Sequence, residues 1–362
     1  MKIFVLNSGS SSIKYKLFLY RDREFRVLRG GVVERIGEEG NCANHKEALE
    51  SIERDIGDFT KIDIVAHRVV HGADFSNSVV IDSNVLKRIE EATTLAPLHN
   101  PSNLAGIYEM LKLSPNSTQV AIFDTAFHQT IPPHHLLYAI SKDVSKEYKI
   151  RRYGFHGISN SYLLKEGAEL LGKSPNRCNF IILHLGNGAS VTAVKNGKSF
   201  NTSMGFTPLE GLVMGSRCGD IDAGILLYLK DRLDLDNLLN YKSGLKGLCG
   251  TNDIREITKR LDRPNYALAF DIYIDRIRKY IGAYLLELQR VDAIIFSGGV
   301  GENSILVRER VSKNLESFGI ILDSRRNRDQ KSIISTRDSR VKILKIKTDE
   351  ELEMARGALE VI

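Results

Sequence analysis

The apolar positions at the start of the chain alternate with polar ones in a way that predicts a β-hairpin. Lys2–Leu6 and Ile13–Leu19 have the alternation and composition of strands, and the polar run Asn7–Ser12 lies between them. The small side chains of this run leave the backbone exposed. The sequence therefore predicts a hairpin whose tip a ligand could approach.

A second hairpin of the same kind is predicted near the middle of the chain. Phe180–Leu185 and Val191–Val194 read as strands, and the small-residue run Gly186–Ser190 forms the turn between them. Leu6–Ile13 aligns without gaps to His184–Val191. The match is short, but it points to a duplication within the chain.

After each hairpin the chain alternates between apolar runs of strand length and stretches with helical periodicity. In the first half, the predicted strands are Ile62–Ala66 and Gln119–Phe123, and the predicted helices are Asn84–Thr93 and Pro101–Leu111. In the second half, the predicted strands are Asp292–Phe296 and Lys342–Ile346, and the predicted helices are Asp220–Leu229, Asn265–Leu288, Ser304–Phe318 and Glu350–Leu359. Such alternation is typical of α/β folds, in which helices cover mixed or parallel sheets.

The length of 362 residues favours two domains, at roughly 150 residues each. We expect the boundary near the polar connection Tyr148–Arg152. The first domain is then assigned to residues 1–149 together with 350–362, and the second to residues 150–349. The repeated hairpins predict that the two domains are related α/β halves with a cleft between them.

Composition excludes several classes of protein. A hydrophobic content of 42% and a charged content of 27% are typical of a globular chain. No apolar run approaches the ~18 residues of a membrane-spanning helix, and the first apolar run is too short for a secretion signal. Four separate cysteines without a C-x-x-C pair exclude a disulfide scaffold and a cysteine-based zinc site. We therefore expect a cytoplasmic protein without a membrane partner.

The net charge of +6 comes from one segment of the chain. Asp323–Lys347 contains nine Lys or Arg and three Asp, which accounts for the whole surplus. The segment has no aromatic residues that could stack against bases. We interpret it as a solvated surface and expect no nucleic-acid partner.

Two glycine-rich turns could bring backbone N–H groups to a phosphate. One is Gly186–Gly188 in the second hairpin, and the other is Gly298–Asn303, which follows a predicted strand and precedes a helix. Asn7 and Lys14 flank the tip of the first hairpin, where they could hold a metal-bound triphosphate. Each feature also has a structural interpretation, as an ordinary turn or a surface lysine.

Charged side chains lie at the ends of several predicted elements, and α/β proteins bind ligands at the carboxyl ends of their strands. Arg68 ends one strand, where a guanidinium suits a carboxylate or a phosphate. Asp124 directly follows another strand, and His156 and Arg217 lie among small residues. One such residue alone is usually structural, whereas several together indicate a site.

Eight motifs, in the same order along essentially the whole chain, resemble those of the acetate kinase family. They are Asn7–Lys14 (NSGSSSIK), His67–Gly72 (HRVVHG), Phe123–His128 (FDTAFH), Arg152–Gly157 (RYGFHG), His184–Gly188 (HLGNG), Gly215–Asp220 (GSRCGD), Gly299–Asn303 (GVGEN) and Thr348–Glu351 (TDEE). The resemblance implies an α/β fold of duplicated ribonuclease H-like domains with an interdomain cleft, as in the sugar kinase, heat-shock ATPase and actin superfamily. It also implies a kinase that acts on acetate with ATP.

The resemblance further implies roles for individual residues. Mg²⁺, which Mn²⁺ could replace, would be held by Asn7 and Glu350. Catalysis would depend on Asp124, His156 and Arg217. The acid would be bound by Arg68, with its methyl group among Val70, Leu98, Phe155 and Pro208. ATP and ADP would contact Lys14, His184, Leu185, Gly186, Asn187, Gly188, Asp253, Ile254, Arg255, Gly299, Val300, Gly301, Glu302 and Asn303.

The implied reaction is governed by charge. Acetate resembles the Glu carboxylate, whose pKa is about 4.3, so it is ionised at pH 7 and needs no general base. We therefore expect Asp124 to orient groups or organise the metal. Arg217, His156 and Mg²⁺ would offset the repulsion between acetate and the γ-phosphate during direct in-line transfer. The products would be acetyl phosphate and ADP, formed reversibly.

The chain departs from the family pattern at several positions. Ser216 and Cys218 flank Arg217 where the family usually has threonine and serine. Ile158 and Asn160 replace a usual threonine and histidine, and Lys347 stands where a proline normally precedes the TDEE motif. None of these is a residue to which the resemblance assigns a direct role.

Two alternative functions stay open. A propionate or butyrate kinase of the same family is one, because an extra methylene changes discrimination by only about 1–3 kcal/mol. A non-catalytic nucleotide-binding regulator of the same fold is the other, although it would have little need of the catalytic residues. The resemblance also implies a homodimer, for which Tyr273, Tyr280 and Tyr284 either form contacts or pack within the core.

Overall fold

The computed structural model describes residues 1–9 and 11–362, so Ser10, in the predicted hairpin tip, lies outside the described residues. By their contacts, the described residues fall into two compact units. Unit 1 comprises Met1–Gln129, Gly157–Ser159 and Asp349–Ile362, and unit 2 comprises Thr130–His156 and Asn160–Thr348. These divisions differ from the sequence-based domain boundaries, which stay a prediction.

Strands and helices alternate along the chain. The strands are β1 (Lys2–Ser8), β2 (Ser12–Arg21), β3 (Glu24–Glu34), β4 (Ile64–Val69), β5 (Val79–Val80), β6 (Thr118–Phe123), β7 (Phe180–Leu185), β8 (Ala189–Lys195), β9 (Lys198–Thr202), β10 (Ala293–Ser297) and β11 (Lys342–Lys345). The helices are α1 (His45–Ile56), α2 (Ser83–Glu91), α3 (Asn100–Leu113), α4 (Pro133–Leu136), α5 (Lys142–Glu147), α6 (Gly157–Leu170), α7 (Ala223–Leu229), α8 (Leu235–Tyr241), α9 (Gly244–Cys249), α10 (Ile254–Thr258), α11 (Pro264–Leu288), α12 (Gly298–Asn303), α13 (Ile305–Ser312), α14 (Ser324–Arg328) and α15 (Glu350–Leu359).

Each unit contains one mixed sheet, and five strands of each sheet follow the same order, to which unit 1 adds the edge strand β5. In unit 1 the order is β3-β2-β1-β4-β6-β5, with β1–β3 antiparallel and β1, β4 and β6 parallel. In unit 2 the order is β9-β8-β7-β10-β11, with β7–β9 antiparallel and β7, β10 and β11 parallel. The prediction of a duplicated α/β fold is therefore confirmed.

The ungapped alignment of the two hairpins is wrong by one residue. Ser8 pairs with Ile13 at the end of the first hairpin, whereas Leu185 pairs with Ala189 at the end of the second. The first loop is thus one residue longer, so an alignment without a gap cannot keep both strands of each hairpin in equivalent positions.

The core of unit 1 lies on both faces of its sheet. Phe4 and Leu6 pack with α1 on one face, while Ile3 and Val5 pack with α15 on the other. A strand that is covered on both faces needs an almost continuous apolar sequence, which is what β1 has.

The long helix α11 forms much of the core of unit 2. The predicted apolar face is buried at Phe270, Ile274, Ile277 and Ile281, and Leu285 is half-buried. Tyr273 and Tyr284 are each only 2% exposed within the single chain. These two tyrosines therefore pack in the core, as one of the two interpretations predicted.

Most predicted elements differ from the observed ones by one to three residues at an end, and three differences are informative. The helix predicted from Asp220 begins at Ala223, because Asp222 accepts a hydrogen bond from the Gly224 N–H and so caps its first turn. The helix predicted to reach Phe318 ends at Ser312, and the turn predicted at Gly298–Asn303 is helical. None of the helices formed by the described residues has the length and apolar character needed to cross a bilayer.

Candidate active site

Three predicted site residues of unit 1 come together because their strands are parallel neighbours. Asn7 lies near the carboxyl end of β1, Arg68 lies in β4 and Asp124 directly follows β6. In the pairing register, Leu6 is opposite His67, and Arg68 is opposite Ile122. The three side chains therefore reach the same edge of the sheet, where α/β sites form.

Arg68 bridges the other two side chains. Its Nε and Nη2 atoms donate to Oδ2 of Asp124 at 3.1 and 2.6 Å, and its Nη1 donates to Oδ1 of Asn7 at 3.2 Å. Burial by itself would lower the pKa of Arg68, but the carboxylates of Asp124 and Glu350 outweigh burial and raise it above its ordinary value. Arg68 is thus a permanently charged, oriented group.

The backbone around Asp124 is held by the start of α6. The N–H of Gly157 donates to the Asp124 carbonyl at 2.9 Å, and a Cβ at Gly157 would lie 2.2 Å from that oxygen. Only glycine allows this approach. The glycine of the FHG motif therefore fixes the peptide that carries Asp124.

Glu350, the predicted metal ligand, is the first residue of α15. The helix is capped by Asp349, whose Oδ1 accepts from the Leu352 N–H at 2.9 Å. Lys16 holds this end of the helix, with Nζ 2.7 Å from Asp349 and 3.3 Å from Glu351. Lys14, the predicted ATP contact, is exposed and forms no ion pair with a described residue.

The residues of unit 1 fit a magnesium ion by their chemistry. Asn7 and Glu350 offer amide and carboxylate oxygens, which are the ligands Mg²⁺ prefers. The carboxylates of Asp124, Asp349, Glu350 and Glu351 outnumber the cations of Arg68 and Lys16 by two. The described residues form no cluster of three His, Cys, Asp or Glu suited to a metal.

The predicted acid-binding residues of unit 1 differ in exposure. Val70, just after β4, is 8% exposed, whereas Leu98 is 45% exposed. The segment that carries Val70 is held by two buried residues of α3 that sequence reasoning missed. Asn103 Oδ1 accepts from the Val70 N–H at 3.0 Å, and Asn100 Oδ1 accepts from the His71 N–H at 3.1 Å.

In unit 2, His156 is fixed by two neighbours. Its Nδ1 lies 3.0 Å from Oγ of Ser190, and its ring stacks on that of His184 with centroids 4.3 Å apart. The His156 backbone is left-handed, with φ of 59°. Such a conformation costs about 1–3 kcal/mol for a residue other than glycine, so the surrounding contacts must hold it. Phe155, beside it, is buried.

Arg217 lies beside His156 and the glycine turn of the second hairpin. A Cβ on Gly188 would be 3.5 Å from Nη1 of Arg217 and 3.6 Å from Nε2 of His156. Nη1 of Arg217 donates to the Pro208 carbonyl at 3.0 Å, and burial lowers the pKa of this guanidinium. Arg217 forms no ion pair with any described residue, so an anionic ligand would offset the cost of its burial.

Most of the predicted ATP contacts line one pocket of about 790 Å³ within unit 2. Of the predicted ATP contacts, its lining includes Gly186, Asn187, Asp253, Ile254, Arg255, Gly299, Val300 and Asn303. It also includes residues that were not predicted, namely Asn252, Thr258, Lys259, Ser304, Ile305 and Leu306. The predicted contacts outside this lining are Lys14, His184, Leu185, Gly188, Gly301 and Glu302.

The sequence of the chain was also compared with those of known proteins. A sequence profile described as the acetokinase family matches residues 2–356. The chain belongs to the acetokinase family. Acetate kinase from Streptomyces coelicolor is 47% identical to it, over 98% of this chain and 95% of the relative. The prediction of a kinase with a carboxylate acceptor is therefore confirmed.

Two solved structures of the same family superpose on the whole chain. Acetate kinase from Porphyromonas gingivalis matches with a TM-score of 0.92 at 40% identity, over 99% of both chains. A propionate kinase from Francisella tularensis matches with a TM-score of 0.94 at 36% identity, over 100% of both chains. The similarity thus extends to acyl kinases named for two different acids.

Two predicted nucleotide contacts of this acetokinase have partners within the chain. Glu302 Oε1 accepts from the N–H groups of Gly298 and Thr348 at 3.0 and 3.1 Å, so its carboxylate stabilises the first turn of α12. Asp253 accepts two hydrogen bonds from the guanidinium of Arg255 at 2.9 and 2.7 Å. The Arg255 side chain and backbone bonds lower the pKa of Asp253 to about 2.

Three positions that depart from the family pattern, Ser216, Cys218 and Asn160, have the following surroundings. Ser216 donates to the Asn240 carbonyl at 2.8 Å, and the Cys218 thiol lies 3.1 Å from the Gly219 carbonyl. Asn160, in place of a histidine, is fully buried, and its side-chain amide finds no hydrogen-bond partner among the described residues. Two buried polar atoms of Asn160 are thus left without a hydrogen bond from the described residues.

Proposed function

We propose that this acetokinase transfers the γ-phosphoryl group of ATP to acetate, reversibly, and yields acetyl phosphate and ADP. The observation that carries the proposal is the half-buried guanidinium of Arg217, which has no carboxylate partner among the described residues and lies beside His156 and the Gly188 turn. A guanidinium, an imidazole and the backbone of a glycine turn, whose Gly186 and Asn187 line the 790 Å³ pocket, are suited to a transferring phosphoryl group.

Arg68 is assigned the carboxylate of the acid substrate. A guanidinium can bind a carboxylate with two parallel hydrogen bonds, and Asp124 holds the Arg68 fork in one orientation. Acetate is already ionised near pH 7, so no base is needed. Asp124 therefore acts on the geometry of Arg68 rather than on a substrate proton.

Mg²⁺ is assigned to Asn7 and Glu350 of unit 1, together with the phosphates of the nucleotide. When bound, the ion would neutralise charge on the phosphates and hold them in one geometry. Lys16 serves this assignment indirectly, because it fixes the helix end at which Glu350 lies.

Propionate is the second candidate acid. The support for it is the match to a propionate kinase over the full length of both chains. Butyrate, which is one methylene longer than propionate, tests how long an acyl chain the enzyme accepts. Since each methylene changes selectivity by about 1–3 kcal/mol, the preference has to be measured.

The experiment is a hydroxamate-trapping assay for acyl phosphate with ATP and Mg²⁺. Acetate, propionate and butyrate are compared at equal concentration, with an Arg217→Ala variant as the control for contaminating kinases. We expect product with acetate and a loss of about 10³-fold in kcat in the variant. Absence of product with all three acids from the unaltered protein would refute the proposal.

We also propose that the protein is a homodimer. The helix α7 supports this because none of its residues is buried, although six of its seven residues are apolar or aromatic. Leu227 and Tyr228 are 69% and 65% exposed. Light scattering on the purified protein tests the dimer, and we expect Leu227→Lys to yield monomers. A monomeric unaltered protein would refute it.

A further inference from the structure

The segment that carries Arg217 has no regular secondary structure. It runs from residue 203 to residue 222, between β9 and α7, and it contains both Pro208 and Arg217. It is not a surface loop, since Leu212 and Met214 are fully buried. A buried irregular segment must have its polar backbone groups satisfied by specific partners, and those partners determine where Arg217 lies.

The tip of this segment is held by backbone hydrogen bonds. The N–H of Leu245 donates to the Met214 carbonyl at 2.9 Å, and the N–H of Cys218 donates to the Leu239 carbonyl at 3.1 Å. Met214 and Arg217 are joined by a further backbone bond of 3.1 Å. These contacts shape the turn around Arg217, but they depend little on side-chain identity.

The base of the same loop is closed by Asp220. The Asp220 N–H donates to the Gly211 carbonyl at 3.0 Å, and the Gly211 N–H donates to Oδ1 of Asp220 at 2.9 Å. Gly211 has φ of 108°, and a Cβ there would lie 2.5 Å from the Ser203 carbonyl oxygen. Residues 211–220 thus form a closed loop whose two ends are fixed to each other.

Two side chains of α11 hold this base from outside the loop. The hydroxyl of Tyr280 donates to Oδ2 of Asp220 at 2.9 Å, and Nη1 of Arg276 donates to the Gly211 carbonyl at 2.9 Å. Arg276 also lies 3.6 Å from Oδ2 of Asp220. Because residues 276 and 280 are one turn apart, both reach the loop from one face of a long, well-packed helix.

We propose that Asp220 and Tyr280 are positioning residues for phosphoryl transfer, which fix the base of the 211–220 loop to α11 and thereby set the position of Arg217. The inference rests on the role assigned to Arg217 in the proposed function. Among the described residues, the Arg217 guanidinium donates to one oxygen, the Pro208 carbonyl, and to Sδ of Met214. Both acceptors belong to the same segment as Arg217, so its placement depends on how that segment is held.

The effect on rate follows from geometry. A displacement of about 1 Å at a reacting group can cost about 10²-fold in rate. Removal of one hydroxyl loosens the loop without unfolding it, so a smaller loss is expected. For Tyr280→Phe we expect kcat to fall about 10-fold, with the KM values for ATP and acetate unchanged within about twofold.

Tyr273→Phe is the matched control on the same helix. The Tyr273 hydroxyl is buried and finds no hydrogen-bond partner among the described residues, so its removal should leave kcat unchanged. Both substitutions delete one oxygen from a tyrosine of α11. A difference between them therefore reports the Asp220 contact and not the loss of a hydroxyl as such.

The decisive measurement repeats Tyr280→Phe in an Arg217→Ala background. If Tyr280 acts through Arg217, the substitution changes the residual kcat by less than about twofold. An equal loss in both backgrounds, or an unchanged kcat in Tyr280→Phe alone, would overturn the positioning role.

A second measurement does not depend on activity. Hydrogen exchange of the Gly211 and Asp220 amides should be faster in Tyr280→Phe and unaltered in Tyr273→Phe. If exchange at these amides is unaltered in both variants, the hydrogen bond of Tyr280 does not fix the base of the loop, and the proposal is overturned. If the unaltered protein forms no acyl phosphate, the proposed function fails, and the exchange result still decides whether Tyr280 fixes the loop.

Discussion

Replacement of Arg308 by methionine is the sharpest test of how the nucleotide turn is built. The Arg308 side chain is 0% exposed and forms no ion pair with a described residue. Its Nη1 donates to the carbonyls of Gly301 and Glu302 at 2.8 and 2.9 Å, near the end of α12. Its Nε and Nη2 donate to the side chains of Asn327 and Gln330 at 2.6 and 3.1 Å.

The magnitude follows from the buried acceptors that Arg308→Met would leave without a donor, chiefly the Gly301 carbonyl and the Asn327 side chain. A buried acceptor without a donor costs about 1–3 kcal/mol. The variant also removes a buried charge, which offsets part of this cost, and burial indeed lowers the pKa of Arg308 to about 10. We expect the free energy of unfolding to fall by about 3 kcal/mol, because several buried acceptors lose their donor and the relieved desolvation of the charge offsets only part of that cost.

The assay is urea unfolding of the nucleotide-free protein, with the free energy obtained from midpoint and slope. Arg325→Met is the control, because the Arg325 side chain is 88% exposed and its removal should cost less than about 0.5 kcal/mol. Since α12 contributes Gly299, Val300 and Asn303 to the pocket, the KM for ATP should also rise in Arg308→Met. A stability within about 1 kcal/mol of the unaltered protein would refute the reasoning.

Three further outcomes are expected. Arg68→Lys keeps the charge but loses the planar guanidinium, so the KM for acetate should rise about tenfold while the KM for ATP stays constant. An unchanged KM for acetate would contradict the assignment of the substrate carboxylate to Arg68. Burial lowers the pKa of His67 to about 4, although its hydrogen bond to Gln119 acts in the opposite direction. Between pH 6.5 and pH 4 the unfolded chain therefore binds a proton at His67 that the folded chain does not bind. The free energy of unfolding should fall by about 3 kcal/mol over this range, and this contribution should be absent in His67→Gln. Removal of Mg²⁺ with a chelator should abolish acyl phosphate formation, and Asn7→Ala should raise the Mg²⁺ needed for half-maximal rate about tenfold.

Elements whose pattern has one physical interpretation were predicted accurately. Phe180–Leu185 and Glu350–Leu359 have the predicted bounds, because the first is a fully buried strand and the second is an amphipathic helix with an aspartate cap. The sheet order is not visible in the sequence, but the repeat of a hairpin followed by strands and helices was sufficient to predict duplication. Local pattern and tertiary structure agree at these places.

The site was predicted less completely where two residues satisfy the same pattern. Lys14 and Lys16 lie on one face of β2, and alternation cannot say which of them contacts the start of α15. Asn100 and Asn103 support the segment after β4 from a helix about thirty residues further along the chain. A spacing of three on a helix was the only available signal, and many surface asparagines share it.

The basic segment contributes to the nucleotide turn through residues that its net charge does not reveal. Asp323–Lys347 carries the surplus of the chain, yet its contribution to the nucleotide turn comes from two neutral residues, Asn327 and Gln330, which bind Arg308. A neutral amide satisfies a buried guanidinium without adding a second buried charge, whose desolvation would cost several kcal/mol. The exposed arginines around these amides keep the segment in water. The segment therefore supports α12 through its uncharged side chains.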